Sequence, residues 1–147
     1  MDPKVKRKIG ETLIEDGLLS KAQLEEALAC QKEKGGLIGS ILIEKNFVSE
    51  ESLISALGKQ FRIPYLPLKN YSINPDMAEF LKADFCHKNH VVAFDFDSKK
   101  IYVAVADPMN HEALEKIRTL TGRIPQVFIA RPSEILNAIY FIYHETS

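Results

Sequence analysis

The sequence predicts an α+β fold, an N-terminal tandem helical-hairpin repeat packed on a small mixed or antiparallel sheet with flanking helices. Three observations predict it. A 24-residue segment recurs after 29 residues. Within each copy, apolar residues recur at helical spacing. Beyond residue 60 the pattern changes to short β-branched and aromatic runs separated by turn residues.

The repeat aligns residues 8–31 with residues 37–60. Ten of the 24 positions are identical: Ile9/Ile38, Gly10/Gly39, Leu13/Leu42, Ile14/Ile43, Glu15/Glu44, Ser20/Ser49, Leu24/Leu53, Ala27/Ala56, Leu28/Leu57 and Gln31/Gln60. Chance would give about one or two at ordinary residue frequencies. The five-residue spacer, 32–36, holds two glycines and reads as a turn.

Each copy reads as a helical hairpin. Ile9, Leu13 and Ile14 share one face of a first helix. Gly17 supplies the left-handed residue that ends it. Ser20 caps the next helix, and Gln23 three residues on completes a capping box. Leu24, Ala27, Leu28 and Gln31 then fall at i, i+3, i+4 and i+7, a single stripe. The second copy repeats this with Ser49 as cap and Glu50 and Glu51 at the positive helix end.

Two features depart from a plain helical core. Gln31 and Gln60 stand on the apolar stripe, where a buried amide needs partners. Gly10 and Gly39 lie one turn into a helix, where glycine costs roughly 0.5–1 kcal/mol relative to alanine. A duplicated glycine there implies close approach to the backbone, either by a ligand or by a neighbouring helix.

Residues 63–68 contain two prolines and read as an extended connection. Asn74-Pro75 predicts a helix start, running to about Lys82. Cys86, His87 and His90 fall in a loop-to-strand transition. Val91–Phe96 and residues 101–106 form a β-hairpin around Asp97-Ser98-Lys99-Lys100. Asn110 caps a helix to about Thr121, closed by Gly122. Residues 124–130 make a third strand. Pro132-Ser133 opens a last helix whose apolar residues are Ile135, Leu136, Ala138, Ile139 and Ile142. Two subdomains result, residues 1–61 and 62–147, and the absence of a Gly/Ser stretch between them predicts that they pack together.

Composition bounds the function. Hydrophobic residues at 46% and charged residues at 27% describe a globular chain, and a net charge of −1 favours neither nucleic acid nor an anionic membrane. Lys4, Lys6, Arg7 and Lys8 concentrate positive charge at the N-terminus, as a solvated arm or as one that closes over an anion. Two cysteines make no disulfide framework. No apolar run reaches the roughly 18 residues of a membrane span, and no signal peptide is visible, so the expected compartment is the cytoplasm. No phosphate-binding G-x-x-x-x-G-K-[ST], G-x-S-x-G or H-E-x-x-H motif is present, so no enzyme activity is expected. Cys86, His87 and His90 lack a fourth zinc ligand. Asp95 and Asp97 share a strand face but read as a solvated hairpin end rather than an acid–base pair. Tyr140, Phe141 and Tyr143 read as an aromatic helix face, for a core or an interface.

The repeat resembles the MshEN-type N-terminal domain of the assembly ATPases of type II secretion and type IV pilus systems. That family uses a 24-residue unit twice with a five-residue spacer. FRIPYLPL, YVAVADPMN and TGRIPQVFIARPSEILNAI downstream look like the family as well. The resemblance implies a regulatory domain that precedes an ATPase segment and docks on an inner-membrane platform protein, placing it peripherally at that membrane. In some members it also implies binding of cyclic di-GMP, a two-fold dianion suited to a two-fold protein repeat. Carried across residue by residue, the implied ligand-binding set is Lys8, Ile9, Gly10, Leu13, Ile14, Leu24, Leu28 and Gln31 in the first copy. The second copy contributes Ile38, Gly39, Leu42, Ile43, Leu53, Leu57 and Gln60.

Three positions depart from the family pattern. Its arginine, the bidentate choice for guanine O6 and N7, is Lys8 in the first copy and Leu37 in the second. Its inner glycine in the second copy is Asn46, which tolerates the left-handed conformation. The alternative reading is a protein–protein interaction module that docks on the platform without nucleotide, its glutamines serving internal hydrogen bonds.

Overall fold

The computed structural model describes the backbone of residues 3–144 and the side chains of residues 9–144. The chain divides into two compact units, Met1–Arg62 and Ile63–Ser147.

The first unit is four helices: α1 (Pro3–Glu15), α2 (Lys21–Lys34), α3 (Ile38–Glu44) and α4 (Glu50–Phe61). Their ends follow the capping chemistry of the sequence. The Gly17 amide donates to Ile14 O at 3.0 Å and Leu18 N to Leu13 O at 2.9 Å. The second copy makes the same pair of bonds, Asn46 N to Ile43 O and Phe47 N to Leu42 O, both 3.0 Å. Gly17 (φ 74°) and Asn46 (φ 60°) both take the left-handed conformation this turn requires. Ser20 Oγ accepts from Gln23 N at 3.1 Å while Ser20 N donates to Gln23 Oε1 at 3.0 Å, a closed capping box. Ser49 Oγ accepts from Ser52 N at 3.1 Å, but serine at that place cannot return the second bond. Glu50 and Glu51 offset the loss at the helix's positive end.

The second unit is a mixed three-stranded sheet with helices. Strands β1 (Val91–Phe96) and β2 (Lys100–Val105) are antiparallel, with a register shift between Ala93 and Asp95. Asp97 organises their turn by accepting from Lys99 N at 2.8 Å and Lys100 N at 2.7 Å. Helix α6 (His111–Thr121), capped by Asn110 and closed by left-handed Gly122, then carries the chain across to β3 (Ile124–Ile129). Strand β3 lies parallel to β2, as a strand–helix–strand crossover requires. The order is β1-β2-β3. Helix α7 (Pro132–Ile142) packs on β1 and β2; its Ile135, Ile139 and Ile142 are buried, as are Val91, Ile101 and Val103 of the strands.

Two segments differ from the sequence expectation. Residues 74–82 are not one helix. Asn74 does cap, accepting from Asp76 N at 2.9 Å, but only a 3-10 turn (Pro75–Glu79) follows. A separate helix α5 (Ala83–Asn89) then holds Cys86 and His87, where a loop was expected. The break has a tertiary cause. The Leu81 carbonyl, which a continuing helix would use internally, accepts instead from the Tyr143 hydroxyl of α7. Helix α5 has no side-chain cap at its start, so nothing in its own sequence announced it.

The proline-containing segment 63–68 does more than connect. Ile129 N donates to Pro64 O and Leu66 N to Ile129 O, both at 2.9 Å, and Tyr65 pairs in parallel with Ile129. The segment thereby extends the sheet beyond β3. It is also tied to the start of α7 through Glu134, a buried charged residue. Glu134 Oε1 accepts from the Tyr65 hydroxyl at 2.7 Å, and Oε2 accepts from the Lys69 amide at 3.0 Å. Arg131 Nε lies 3.8 Å from the same carboxylate. Burial first, and then the Glu134 hydrogen bond, push the Tyr65 phenol above its ordinary pKa, which keeps it a donor.

His90 ends α5 in the left-handed conformation (φ 51°). Burial pulls its imidazole below its ordinary pKa, with the neighbouring Asp107 charge only partly opposing. The folded protein therefore holds His90 neutral over a range in which the unfolded chain is already protonated. Stability from this group is present above the ordinary imidazole value of 6.5 and is lost as pH falls below it. Replacing His90 with Asn keeps the left-handed residue and removes the titration. The slope of stability against pH just below 6.5 is expected to be shallower in that variant; an unchanged slope would assign the effect to another group.

Candidate functional site

The repeat unit is built on crossed pairing. Helix α1 packs on α4, and α2 packs on α3. Exchanging the two copies turns the first contact into the second, so the pattern maps onto itself. That is the isologous logic of a two-fold axis, here within one chain. Leu13 and Leu42, at equivalent positions, are both 0% exposed. The turn after each copy's first helix also reaches the second helix of the other copy: Asp16 pairs with Lys59 at 3.7 Å, and Lys45 with Glu26 at 3.9 Å. These pairs are exposed and contribute little energy; Asp16 and Lys45 are equivalent in the repeat, whereas their partners Lys59 and Glu26 are not.

The candidate residues divide by exposure. Ile9, Leu13, Leu42, Leu53 and Leu57 are buried and form the unit's core. Ile14, Leu24, Ile38 and Ile43 are half-buried, and Leu28 is 37% exposed. Lys8 lies in α1, but its side chain is outside the described residues, as are those of Lys4, Lys6 and Arg7. Leu37 precedes α3 in extended conformation and offers no side-chain cap.

The glycines admit a neighbouring helix. A Cβ on Gly10 would stand 2.7 Å and 2.8 Å from the two methyl carbons of Leu24. One on Gly39 would stand 2.7 Å from a Leu53 methyl. In both copies the glycine is thus the socket for a leucine in the first turn of the second helix, and alanine there would require the end of that leucine to shift.

The glutamines are not equivalent. Gln31 Nε2 donates to Gly36 O at 3.0 Å, bracing the turn between the copies. Gln60 Oε1 receives only a long 3.4 Å bond from Thr12 Oγ1. Its Nε2 is buried and has no hydrogen-bond partner among the described residues. Such a group costs about 1–3 kcal/mol unless something completes it. Thr12 was not among the residues singled out from sequence. Its repeat equivalent is Ile41, and that apolar-to-polar difference is the signal that would have found it.

Other features of the second unit carry less chemistry. Asp95 accepts from the Tyr71 hydroxyl and Asp97 from the Tyr102 hydroxyl, both at 2.9 Å, so the two carboxylates serve separate tyrosines. The Phe80 and Phe96 rings pack together with centroids 4.8 Å apart, and the Arg123 guanidinium lies against both, 5.3 and 5.0 Å from their centroids. An open apolar cleft of about 1050 Å³ is lined by Phe80, Leu81, Phe85, Leu120 and Tyr143 among others. Among the described residues no three His, Cys, Asp or Glu side chains converge as a metal site, and no helix is long and apolar enough to cross a membrane.

These features define an α+β domain in which a two-fold helical-hairpin repeat is joined to a small mixed sheet. The chain belongs to the MshEN domain family, whose pattern matches residues 61–147, the sheet-containing part. It is homologous to the N-terminal region of type IV pilus assembly ATPases named PilB. The Myxococcus xanthus protein is 30% identical over 138 residues, 94% of this chain and 24% of the relative. That of Thermus thermophilus is 26% identical over 141 residues, 95% of this chain and 16% of the relative. The chain thus spans a quarter or less of these relatives' length and matches the MshEN domain rather than an ATPase catalytic domain. Among solved structures it is similar to MshE with cdg, with TM-score 0.71, 26% identity, and coverage of 92% of this chain and 98% of that one. The N-terminal domain of XpsE shares the fold, with TM-score 0.72, 20% identity, and coverage of 89% and 90%.

Proposed function

We propose that this domain regulates and docks a pilus or secretion assembly ATPase, and that its repeat unit binds cyclic di-GMP. The observation that carries this is the two-fold pairing of the repeat, which matches the symmetry of a ligand with two guanines and two phosphates. The similarity to MshE with cdg, spanning nearly all of that chain, supports it. In this reading Ile14, Leu24, Leu28, Ile38 and Ile43 offer apolar surface to bases and riboses. Lys8 supplies the cation, and Gln31 and Gln60 supply the carboxamides. The unpartnered Gln60 Nε2 is a donor already desolvated and available. Gly10, Leu13, Gly39, Leu42, Leu53, Leu57 and Ile9 act indirectly, by setting helix spacing.

One observation favours the second reading, docking on an inner-membrane platform protein without nucleotide. Leu37 stands where the family pattern has an arginine, and a lost charged hydrogen bond costs about 1.5–3 kcal/mol, or one to two decades of affinity. Calorimetric titration of cyclic di-GMP at roughly tens of micromolar, the range those decades leave open, separates the readings. Binding is expected. Gln60→Ala should weaken it about tenfold or more while leaving the melting temperature within a degree or two, because Gln60 makes one long bond in the fold. A flat trace for the parent protein removes the nucleotide and leaves the docking role. Gly10→Ala is a poor probe of the site, since Leu24 must shift to admit the new methyl under either reading.

A further inference from the structure

We propose that one end of the three-stranded sheet is a lipid-facing knuckle, which seats the second unit on an anionic membrane surface. Among the described residues, Leu120 (63% exposed), Ile124 (56%) and Phe96 (45%) are three of the four most exposed large apolar side chains. The fold brings them to one place. Phe96 ends β1, and Ile124 begins β3 beside Lys100, where β2 begins. Both therefore stand at the end of the sheet that the β1–β2 turn closes, and the Ile124 amide donates to Lys99 O of that turn at 2.9 Å. Leu120 lies in the last turn of α6, just before Gly122 and Arg123 lead into β3. Single exposed apolar residues need no explanation, but a group gathered at one end marks a contact surface.

Charge selects the occupant. Lys99, Lys100 and Arg123 sit at the same end, and none of them makes an ion pair among the described residues. Arg123 is held in place: its Nε donates to Asp97 O at 2.8 Å, and its guanidinium lies against the Phe80 and Phe96 rings. Nη1 reaches Thr121 O at 3.4 Å, while Nη2 has no acceptor among the described residues. A guanidinium so placed suits a phosphate oxygen. The acids of this end are engaged locally. Asp97 accepts from Lys99 N, Lys100 N and the Tyr102 hydroxyl, and Asp95 from Phe96 N and the Tyr71 hydroxyl. Three positive charges stand against two negative ones. Apolar side chains that enter the acyl boundary, with cations beside them at headgroup level, form an interfacial anchor.

The test is flotation of the 147-residue chain with vesicles, which needs neither nucleotide nor platform protein. The chain is expected to rise with vesicles of equal parts phosphatidylglycerol and phosphatidylcholine, and to do so less as salt is added. Phosphatidylcholine alone should hold it far less. Leu120→Ser combined with Ile124→Ser should weaken binding about tenfold or more. Arg123→Gln should weaken it about fivefold, the share of one cation near an anionic surface. Phe141→Ser, at a side chain of α7 that is 57% exposed, should leave it unchanged. Melting temperatures confirm that each variant is folded. A parent chain that stays with the unbound fraction overturns the proposal and leaves this end to an acidic protein partner. A double variant that floats like the parent also overturns it, and assigns the binding to another basic segment such as residues 4–8. Equal binding to neutral vesicles overturns the charge argument and the proposal with it. Each of these failures leaves the nucleotide and platform readings standing.

Discussion

Glu134→Ala is expected to lower the unfolding free energy of the sheet-containing unit by about 3–5 kcal/mol, the cost of removing one member of a buried charged network. The carboxylate is 7% exposed and faces three partners: the Tyr65 hydroxyl, the Lys69 amide and Arg131. Deleting it leaves the Lys69 amide and the Tyr65 hydroxyl without this acceptor and takes a negative charge away from beside Arg131. It also frees segment 64–69 from the start of α7. Glu134→Gln should cost less, about 1–2 kcal/mol. Its carbonyl can still accept from Lys69 N, and the Tyr65 hydroxyl can turn to accept from the new amide. Tyr65→Phe should cost about 1 kcal/mol, one hydrogen bond. Urea unfolding checks the series through its midpoints at unchanged slope. A Glu134→Ala midpoint equal to the parent's would mean that the network contributes nothing net.

The second large effect concerns the repeat unit. Leu13→Ala and Leu42→Ala each remove a fully buried side chain and should each cost about 3–5 kcal/mol. Because the two positions are equivalent in the crossed pairing, the costs should agree closely. They also fall on a unit of about 60 residues, whose total stability at roughly 0.05–0.15 kcal/mol per residue is of the same order. Either substitution is therefore expected to unfold the repeat while the sheet-containing unit persists. Amide hydrogen exchange reads this directly: protection should vanish from α1–α4 and survive in β1–β3. A uniform loss across both units, or a large difference between the two variants, would contradict the independence or the equivalence assumed.

Much of this was readable from the residues. The hairpin repeat rests on local chemistry, cap serines and left-handed turn residues at fixed offsets, and local chemistry is visible in sequence. So are the β-hairpin around Asp97 and the helix between Asn110 and Gly122. What was missed depends on distant partners. Helix α5 has no cap of its own, and the break before it is held by Tyr143, about sixty residues away. The pairing of segment 64–66 with Ile129 and the burial of Glu134 require knowing which strand lies beside which, and the sheet's mixed character followed only once β3 was placed. At the repeat, the glycines were legible as sites of close approach. Which group approaches, Leu24 or Leu53, was not, because sequence spacing does not give the angle between two helices.

The crossed pairing of α1 with α4 and of α2 with α3 also bears on where such a unit comes from. A single hairpin of this kind would leave its main packing surface bare, yet two copies of it would satisfy one another. The repeat unit is thus arranged as a homodimer would be, but on one chain, where the two halves are not obliged to be identical. In a true dimer every substitution is suffered twice; here each half drifts alone. Thr12 opposite Ile41, Gly17 opposite Asn46 and Lys8 opposite Leu37 are the marks of that drift. The interior has changed as well, since Ile41 is buried and so are Leu19 and its counterpart Val48, while Leu13 and Leu42 have stayed the same.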